Sequence, residues 1–383
     1  MRIFRGSSKS KKSRREASSS ASDQSYKTEA SQRSMTERST TERSLIEDET
    51  IADRSRRSDS QRSTRSARSV RSARSSRNAN EKAQVYRFVK RTMEKGVHGL
   101  KKEFASLKRV NNFAIMRTFV ANNALGRNRY KDVGCLDATR VRLTYNDGND
   151  YIHANYVGTP SNSRRFICTQ APLDKTCRDF WMMCIQNRVE FIVMLCDLVE
   201  KGAKKCCQYY PLRGSISFGD ITIAIVDSKL MRFTTTTNIR VNISSLIVEQ
   251  RGAVVLRVRH IHWVDWPDRG VPPADTAIIQ VLEIMRDTQS PIVVHCSAGV
   301  GRTGSMVLIQ YILESIGLED PIESCDQILL KIRSQRANTI QTDQQYLFVH
   351  QVLLNYFVEN QLLDRRWKPF LDRFTADYYK NVY

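Results

Sequence analysis

Residues 292–304 read IVVHCSAGVGRTG, and they are the most informative part of the sequence because they place a glycine-rich turn between two apolar segments. The β-branched run at 292–294 predicts a short buried strand, and the apolar run from Ser305 to Ile316 predicts a helix. The turn carries the thiol of Cys296 at one end and the guanidinium of Arg302 at the other. We therefore expect a strand, a tight turn and a helix in immediate succession.

The five residues between Cys296 and Arg302 can form a cradle for an anion. Their backbone N–H groups can point inward, and a helix that begins near Arg302 adds unpaired N–H groups and the positive end of its dipole. The same field favours the thiolate of Cys296, which is the nucleophilic form of cysteine. The planar guanidinium of Arg302 can bind two phosphoryl oxygens at once. The cradle residues are Ser297, Ala298, Gly299, Val300 and Gly301.

The string His295–Gly304 closely resembles the signature of the classical protein tyrosine phosphatases of the non-receptor, single-domain type. The resemblance implies that Cys296 is the nucleophile and that Arg302 binds the phosphate. Thr303 is placed to hydrogen-bond the sulfur and ease its departure, and His295 is expected only to order the turn. A buried cysteine beside an ordinary turn is the alternative interpretation.

The segment Trp266-Pro267-Asp268 supplies a candidate proton donor. It follows the alternating strand pattern of residues 256–260 and is rich in proline and glycine, so we predict a loop with hinges at both ends. A departing phenolate benefits from a carboxylic acid near the ester oxygen. The loop resembles the mobile acid loop of the same family, which implies that Asp268 acts first as acid and then as base. Asp265 is the other candidate for the proton donor. An aspartate in such a turn often serves only to stabilise the turn by hydrogen-bonding the backbone.

Residues 333–346 contain two glutamines of interest. Thr342 and Gln345 form a capping-box pattern, so helix initiation explains part of this segment. The resemblance implies that Gln341 positions the hydrolytic water and that Gln345 is a secondary contact. Asn338 stands where the family usually has glycine. Asparagine tolerates left-handed backbone angles, and we expect its side chain to narrow access to the pocket.

Two upstream segments complete the predicted site. Residues 128–133 resemble the phosphotyrosine recognition loop, which implies that Tyr130 stacks on the substrate ring and that Asp132 accepts N–H bonds from the peptide. The depth of the slot would then exclude the shorter phosphoserine and phosphothreonine. Glu200 lies in a lysine-rich segment that resembles a family loop, where this glutamate can pair with Arg302.

The resemblance covers residues 83–360 and implies one α/β catalytic domain. Alternating segments such as residues 221–225, together with long helical patterns, predict a twisted mixed β-sheet flanked by helices on both faces. Residues 361–383 are interpreted as a short C-terminal tail. Residues 1–82 are interpreted as a disordered basic tail rich in serine and arginine.

The first 80 residues contain 20 Lys+Arg, 10 Asp+Glu and 22 Ser, with Phe4 and Tyr26 as their only aromatic residues. Such a composition cannot build an apolar core. Arginine recurs at every third position from Arg62 to Arg77. The repeat can bind RNA or an acidic membrane surface, can serve as a substrate for kinases that prefer a basic context, or can remain a solvated tail.

The chain of 383 residues carries a formal net charge of +21 and nine cysteines. The cysteine spacing is not that of a disulfide framework, and a thiolate mechanism needs reducing conditions, so we predict a cytoplasmic protein, with the nucleus as the alternative. No run of eighteen apolar residues is present in the sequence, and no transmembrane segment is expected.

These patterns predict an enzyme that hydrolyses phosphotyrosine in proteins through a cysteinyl-phosphate intermediate, without a metal or another cofactor. Its expected partners are phosphotyrosine proteins, with RNA or an acidic membrane surface as a partner for the tail. The alternative is a catalytically weak scaffold of the same fold that binds phosphotyrosine. The presence of Cys296, Arg302 and Asp268 favours the enzyme.

Overall fold

The computed structural model describes residues 52–144, 148–235 and 237–383, with side chains from residue 79 onward. The chain divides into two compact units, Met1–Ser63 and Thr64–Tyr383. The described part of the first unit is helical backbone that begins at Ala52. All elements that position the candidate site belong to the second unit.

The second unit has a long run of consecutive strands in its middle and a run of consecutive helices toward its end. The strands are β1 (Arg140–Arg142), β2 (Tyr151–Thr159), β3 (Asn162–Thr169), β4 (Phe191–Met194), β5 (Val199–Glu200), β6 (Ala203–Lys204), β7 (Ser215–Phe218), β8 (Ile221–Leu230), β9 (Arg240–Gln250), β10 (Ala253–Val264) and β11 (Ile292–His295). The helices are α1 (Ala52–Ser106, interrupted by non-helical backbone at Gly96), α2 (Arg117–Ala121), α3 (Cys177–Gln186), α4 (Ala277–Ile284), α5 (Gly301–Ile316), α6 (Cys325–Arg333), α7 (Asp343–Glu359) and α8 (Lys368–Val382).

Nine strands form one mixed sheet in the order β1-β2-β3-β11-β4-β10-β9-β8-β7. The central strands β3, β11, β4 and β10 are parallel, and the outer pairs are antiparallel. Val293 of β11 is paired with Ile167 on one side and Ile192 on the other. Because ligands of open α/β sheets bind beyond the carboxyl ends of parallel strands, the turn after β11 lies at the centre of the favoured edge.

Helix α5 follows that turn and is buried along most of its length. It contacts α4, α6 and α7, and it also contacts β2 and β11. The strand predicted at 292–294 is β11, and the helix predicted from Ser305 to Ile316 is α5, which begins earlier, at Gly301. The predicted fold, a mixed sheet flanked by helices, is confirmed.

Residues 361–383 differ from their interpretation as a short tail, because most of them form α8. Phe374 and Tyr378 of α8 are buried and lie one turn apart, so one face of this helix packs on the domain. Gln351 of α7 donates a hydrogen bond to the hydroxyl of Thr375 at 3.0 Å. The hydroxyl of Tyr383 donates to the carbonyl of Pro272 at 2.8 Å.

The backbone is helical from Ala52, which lies inside the segment 1–82 interpreted as disordered. A shortage of apolar residues rules out an apolar core but not a helix, because alanine and arginine have favourable helix propensities. Residues 1–51 lie outside the described residues, as do the side chains of the arginine repeat at 62–77. Binding of RNA or an acidic membrane by this segment therefore stays a prediction.

Gly299 allows the turn after β11 to pass close to the end of β3. Its φ is +70°, and a Cβ atom here would lie 2.0 Å from the carbonyl oxygen of Thr169. We expect Gly299→Ala to add both backbone strain and a steric clash, and so to lower the melting temperature by roughly 10 °C. Circular dichroism during heating measures this change.

Gly252, in the turn between β9 and β10, is the matched control. Its φ is +82°, but a Cβ atom here would meet nothing within 4 Å. Gly252→Ala should therefore add strain alone and lower the melting temperature by roughly 2–5 °C. Equal shifts in the two variants would contradict the close approach of the turn to β3.

Candidate active site

The guanidinium of Arg336 binds the outer side of the cradle, residues 297–301. Arg336 is 1% exposed. Its Nε donates to the carbonyl of Gly299 at 3.1 Å, and its Nη2 donates to the carbonyl of Ala298 at 3.0 Å. The same guanidinium donates to Oδ1 of Asn155 at 2.9 Å and to Nδ1 of His153 at 3.2 Å. Arg336 thus holds two carbonyl groups pointing out of the cradle, a role that no local sequence pattern indicated.

Two further carbonyl groups of the cradle are also bound on the outside. The carbonyl of Ser297 accepts a hydrogen bond from the amide of Ala171, beyond β3, at 3.0 Å. The carbonyl of Val300 accepts from the amides of Gly304 and Ile340, each at 3.1 Å. Because N–H and C=O point in opposite directions across a trans peptide, these contacts turn the following N–H groups inward.

The inner side of the cradle presents N–H groups around the sulfur of Cys296. The amide of Gly299 donates to Sγ of Cys296 at 3.2 Å. The amides of Ala298, Val300 and Gly301 have no acceptor among the residues that the structure describes. Buried backbone N–H groups normally have a partner, so a cluster of free donors at the start of α5 is an anion site.

Arg302 is held at the same sheet edge by Glu200. The guanidinium is 2% exposed; its Nη2 lies 2.7 Å from Oε2 of Glu200, and its Nη1 bonds Oε1 of the same carboxylate. Nη1 also donates to the carbonyl of Leu195, just after β4, at 2.9 Å. Burial opposes the charge, but Glu200 and the nearby Cys296 raise the pKa of Arg302 above its usual value. The pairing of Glu200 with Arg302 that the resemblance implied is present.

The loop after β10, residues 265–273, reaches the cradle through Asp268. Oδ1 of Asp268 accepts from Nη2 of Arg302 at 2.9 Å, and Oδ2 accepts from Nζ of Lys205 at 2.8 Å. Burial acts in the opposite direction, but the hydrogen bonds from Lys205 and Arg302 hold the pKa of Asp268 below its usual value. Asp268 is therefore a carboxylate in this arrangement.

Asp265 does not share this position. Its backbone has a φ of +63°, and its carboxylate, 64% exposed, pairs with Arg240 of β9 at the surface. Trp266 next to it is buried, with its ring 5.0 Å from that of Trp263 and 5.7 Å from that of Phe348. The buried indole anchors the loop so that Asp268, and not Asp265, faces Arg302.

A buried hydrogen-bond chain beneath the cradle fixes the tautomers of two histidines. The hydroxyl of Tyr209 lies 2.7 Å from Nε2 of His295 and 2.7 Å from Nε2 of His260. Burial lowers the pKa of His295 to about 3 and that of His260 well below its usual value, so both rings are neutral. Nδ1–H of His295 donates to the carbonyl of Cys296 at 3.3 Å, so its Nε2 accepts from Tyr209. The oxygen of Tyr209 then accepts Nε2–H of His260, and the expectation that His295 orders the turn stays a prediction.

Tyr130 lies at the mouth of the cradle. Its partly buried ring packs against Val133, Ala298 and Val300. Its hydroxyl lies 2.9 Å from Oγ of Ser297. The resemblance implied that Tyr130 stacks on the ring of the substrate. Its packing on cradle residues places its ring beside the anion site, as such stacking would require.

Asn338 has the left-handed backbone expected from the sequence, with a φ of +61°. Its Nδ2 donates to Oδ1 of Asn111 at 2.7 Å, and Nδ2 of Asn111 donates to the carbonyl of Asp132 at 2.8 Å. The side chain of Asp132 itself is exposed. The carboxamides of Asn338 and Asn111 therefore connect the turn after α6 to the segment that contains Tyr130. That the side chain of Asn338 narrows access to the pocket stays a prediction.

Gln341 and Gln345 lie against the cradle. A Cβ atom at Gly301 would lie 2.5 Å from Oε1 of Gln341 and 2.8 Å from Nε2 of Gln345. Oε1 of Gln345 accepts from the amide of Gln341 at 2.9 Å, and the predicted N-cap bond from the amide of Gln345 to Thr342 is present at 3.2 Å. Nε2 of Gln345 is buried and has no partner in the described part of the chain. It is a donor available to an oxygen atom in the cradle.

The predicted hydrogen bond from Thr303 to the sulfur of Cys296 is not formed in this structure. The hydroxyl of Thr303 is buried and has no partner among the described residues. Residue 303 already belongs to α5, whose backbone restricts the direction of the side chain. The sulfur accepts from the amide of Gly299 instead.

Within the described ranges, no group of three or more His, Cys, Asp or Glu side chains is arranged to hold a metal ion. The same ranges contain no helix whose length and apolar character would let it cross a bilayer. The expectation that the site works without a cofactor stays a prediction.

Comparison with known families matches residues 124–355, more than half of the chain, to the model described as protein-tyrosine phosphatase. The matched range begins before Tyr130 and ends after Gln345, so it contains every residue assigned to the candidate site.

Curated proteins with the same description resemble this chain. The human tyrosine-protein phosphatase non-receptor type 9 is 34% identical over 283 residues, which are 67% of this chain and 46% of that protein. The human receptor-type tyrosine-protein phosphatase zeta is 36% identical over 251 residues, 62% of this chain and 11% of its own length. The Lar-like tyrosine-protein phosphatase of Caenorhabditis elegans is 32% identical over 280 residues, which are 71% of this chain and 12% of that protein. The chain spans less than half the length of these relatives.

A solved structure reported as the "structural basis of PTPN18 fingerprint on distinct HER2 tyrosine phosphorylation sites" has a similar fold. The two chains are 28% identical with a TM-score of 0.61, and the match covers 72% of this chain and 99% of the other. Almost the whole of that chain therefore has a counterpart here.

The role of Arg336 can be tested with Arg336→Lys. A single ammonium group cannot serve all the acceptors that the guanidinium binds, so at least one cradle carbonyl loses its partner and can rotate inward. We expect the affinity for inorganic phosphate, measured by calorimetry, to fall by roughly tenfold or more. The melting temperature should also fall.

Arg165→Lys is the matched control. Arg165 is also buried, and it donates to the carbonyls of Thr288, Met285 and Arg286. These carbonyls lie outside the cradle, so this variant should lose stability but keep its phosphate affinity. If both variants lost phosphate affinity equally, the specific role of Arg336 would be refuted.

Proposed function

This chain belongs to the protein-tyrosine phosphatase family, and we propose that it hydrolyses phosphotyrosine in proteins through a covalent cysteinyl-phosphate. The observation that carries the proposal is the convergence of three groups on one point. Inward N–H groups surround Cys296, Arg302 lies at the other end of the same turn, and the carboxylate of Asp268 is 2.9 Å from that guanidinium.

Binding of the substrate's phosphate group in the cradle would precede the chemical steps. The phosphate dianion would enter the cradle, accept hydrogen bonds from the N–H groups of residues 298–301, and pair with Arg302. These donors face the positions where charge develops during transfer, so they would stabilise the transition state as well as the bound substrate. Tyr130 would stack on the phenyl ring, and the slot would favour phosphotyrosine over shorter phosphorylated side chains.

In the first chemical step, Sγ of Cys296 would attack phosphorus while the bond from phosphorus to the tyrosyl oxygen breaks. The departing oxygen would take a proton from Asp268. That carboxyl must therefore be protonated when substrate is bound, although Lys205 and Arg302 keep it ionised in the structure. A dianion beside it would draw Arg302 toward its own oxygens and raise the pKa of Asp268, because nearby negative charge disfavours a carboxylate.

In the second step, water would attack phosphorus and release the thiolate of Cys296. Asp268, now ionised, would accept the proton of the water. Gln341, whose Oε1 lies against Gly301, would hold the water in line with the sulfur. The free Nε2 of Gln345 would bind a phosphoryl oxygen or the same water.

Two variants test the assigned roles of Cys296 and Asp268. Cys296→Ser should reduce turnover of a phosphotyrosine peptide by at least about four orders of magnitude, because the hydroxyl is a far weaker nucleophile. Asp268→Ala should reduce kcat by roughly 10²–10⁴-fold and bind the substrate at least as tightly as the unaltered chain, because the carboxylate that opposes a dianion is gone. Steady-state kinetics and peptide binding by fluorescence polarisation measure both effects.

Cys325→Ser and Asp265→Ala are the controls. Cys325 is a buried thiol at the start of α6, and Asp265 is the surface carboxylate three residues before Asp268. Both variants should keep kcat within about twofold of the unaltered chain. Turnover that survives Cys296→Ser would refute the proposed nucleophile, whereas binding of the peptide without turnover by the unaltered chain would favour the alternative of a phosphotyrosine-binding scaffold.

The proposed proton uptake by Asp268 predicts how anion binding depends on pH. Cys296→Ser removes the thiol, and sulfate keeps its charge between about pH 5 and pH 7, so Asp268 becomes the main titrating group. Its pKa is lowered in the free protein and raised by the bound anion, so binding takes up a proton and strengthens as the pH falls. We expect affinity for sulfate to increase by up to about tenfold per pH unit.

Adding Asp268→Asn supplies the comparison for this titration. The carboxamide mimics the protonated carboxyl and cannot titrate, so affinity for sulfate should be higher at pH 7 and nearly independent of pH. Calorimetry in buffers with different ionisation enthalpies reports the proton uptake directly. An unchanged pH dependence after Asp268→Asn would show that another group takes up the proton.

A further inference from the structure

Two thiols outside the cradle lie unusually close together. Sγ of Cys177, the first residue of α3, is 2.8 Å from Sγ of Cys207, which follows β6. This separation is about 0.8 Å longer than the S–S bond of a disulfide, which is about 2.05 Å. Both cysteines are buried and free. A small change of the side chains would bring the two sulfur atoms to bonding distance.

The backbone around the pair is already joined. The amide of Cys207 donates to the carbonyl of Pro172 at 3.0 Å, so the segment after β6 runs beside the segment that leads into α3. The thiol of Cys206 points elsewhere, because it donates to the carbonyl of Cys207 at 3.1 Å. The backbone therefore directs Cys207, and not its neighbour, toward Cys177.

The two thiols differ in access and in acidity. Cys177 is 0% exposed and Cys207 is 5% exposed, beneath a surface ion pair in which Nζ of Lys204 is 2.7 Å from Oδ2 of Asp174. The hydrogen bond from Cys177 lowers the pKa of Cys207, whereas the same contact and burial raise the pKa of Cys177. Cys207 is thus the thiol that more readily becomes a thiolate and that an oxidant reaches first.

We propose that Cys177 and Cys207 form a redox-sensitive site that a hydroperoxide converts reversibly into a disulfide. The thiolate of Cys207 attacks one oxygen of the peroxide, the O–O bond breaks, and a sulfenic acid forms as the other oxygen leaves and takes up a proton. Sγ of Cys177 then attacks the sulfenyl sulfur; the S–S bond forms, and the hydroxyl leaves as water with the proton of Cys177. Overall, two thiols are oxidised and one peroxide is reduced to water, or to water and an alcohol.

The bond would join α3 to a segment that contacts the cradle. Lys205, two residues before Cys207, donates to Asp268 at 2.8 Å, and its carbonyl accepts from Oγ of Ser297 at 3.2 Å. A disulfide at Cys207 would restrain the segment that makes both contacts. The site itself is independent of the proposed phosphatase reaction, since neither thiol reacts with phosphate.

The test uses the full chain carrying Cys296→Ser, so that the proposed nucleophile cannot react. After treatment with hydrogen peroxide and alkylation of free thiols, tryptic peptides 176–178 and 206–213 should appear joined in non-reducing mass spectrometry, with fragmentation assigning the link to Cys207. The joined peptides should separate after reduction. The melting temperature of the oxidised chain should rise by roughly 5 °C or more, because the bond closes a loop of about thirty residues.

Three further substitutions serve as comparisons in the same background. Cys177→Ser should abolish the link and the rise in melting temperature, whereas Cys206→Ser and Cys325→Ser should keep both. If Cys177→Ser did not fold, the peptide map of the Cys296→Ser chain alone would still decide. Separate, alkylated peptides after oxidation, or a link assigned to Cys206, would overturn the proposal, whatever the outcome of the turnover experiments.

Discussion

The outward direction of the carbonyl groups at residues 297–300 is the constraint on which the rest of the site depends. Peptide N–H groups converge on Cys296 only if every neighbouring carbonyl has a partner on the other side, because a buried polar group without one is destabilising. Arg336 and the amide of Ala171 supply such partners. The parallel strands β3, β11 and β4 bring these groups to one edge, so the sheet order positions the cradle.

The balance of charge at this edge centres on Arg302. One buried guanidinium binds the carboxylates of both Glu200 and Asp268, and Lys205 binds Asp268 from the other side. Glu200 has a bidentate contact and holds the guanidinium in place, whereas Asp268 shares its two oxygens between two cations. In the proposed reaction, an entering dianion would compete with Asp268 for Arg302 and leave Glu200 paired, so Asp268 could take up the proton that its proposed role as an acid requires.

Two of the cysteine environments in this chain bear on the proposed chemistry. Sγ of Cys296 accepts a hydrogen bond from the amide of Gly299 at the cradle, a position that suits the nucleophilic role proposed for it. Sγ of Cys177 and Sγ of Cys207 lie 2.8 Å apart, and Sγ of Cys177 also donates to the carbonyl of Leu173 at 3.3 Å. The first environment follows from a tight turn at a helix start. The second follows from the approach of two segments that are thirty residues apart in the chain.

Contiguous patterns in the sequence predicted the strand, turn and helix around Cys296 and the loop that carries Asp268, because short-range spacing dictates local backbone geometry, whereas the role of that loop came from the family resemblance. Only the tertiary structure decided which distant side chains complete the site. Arg336 binding the cradle carbonyls, Lys205 holding Asp268, and Tyr209 linking two histidines all join residues that are far apart in sequence. The packing of helices and connecting segments around the sheet sets such contacts, and no spacing along the chain records that packing.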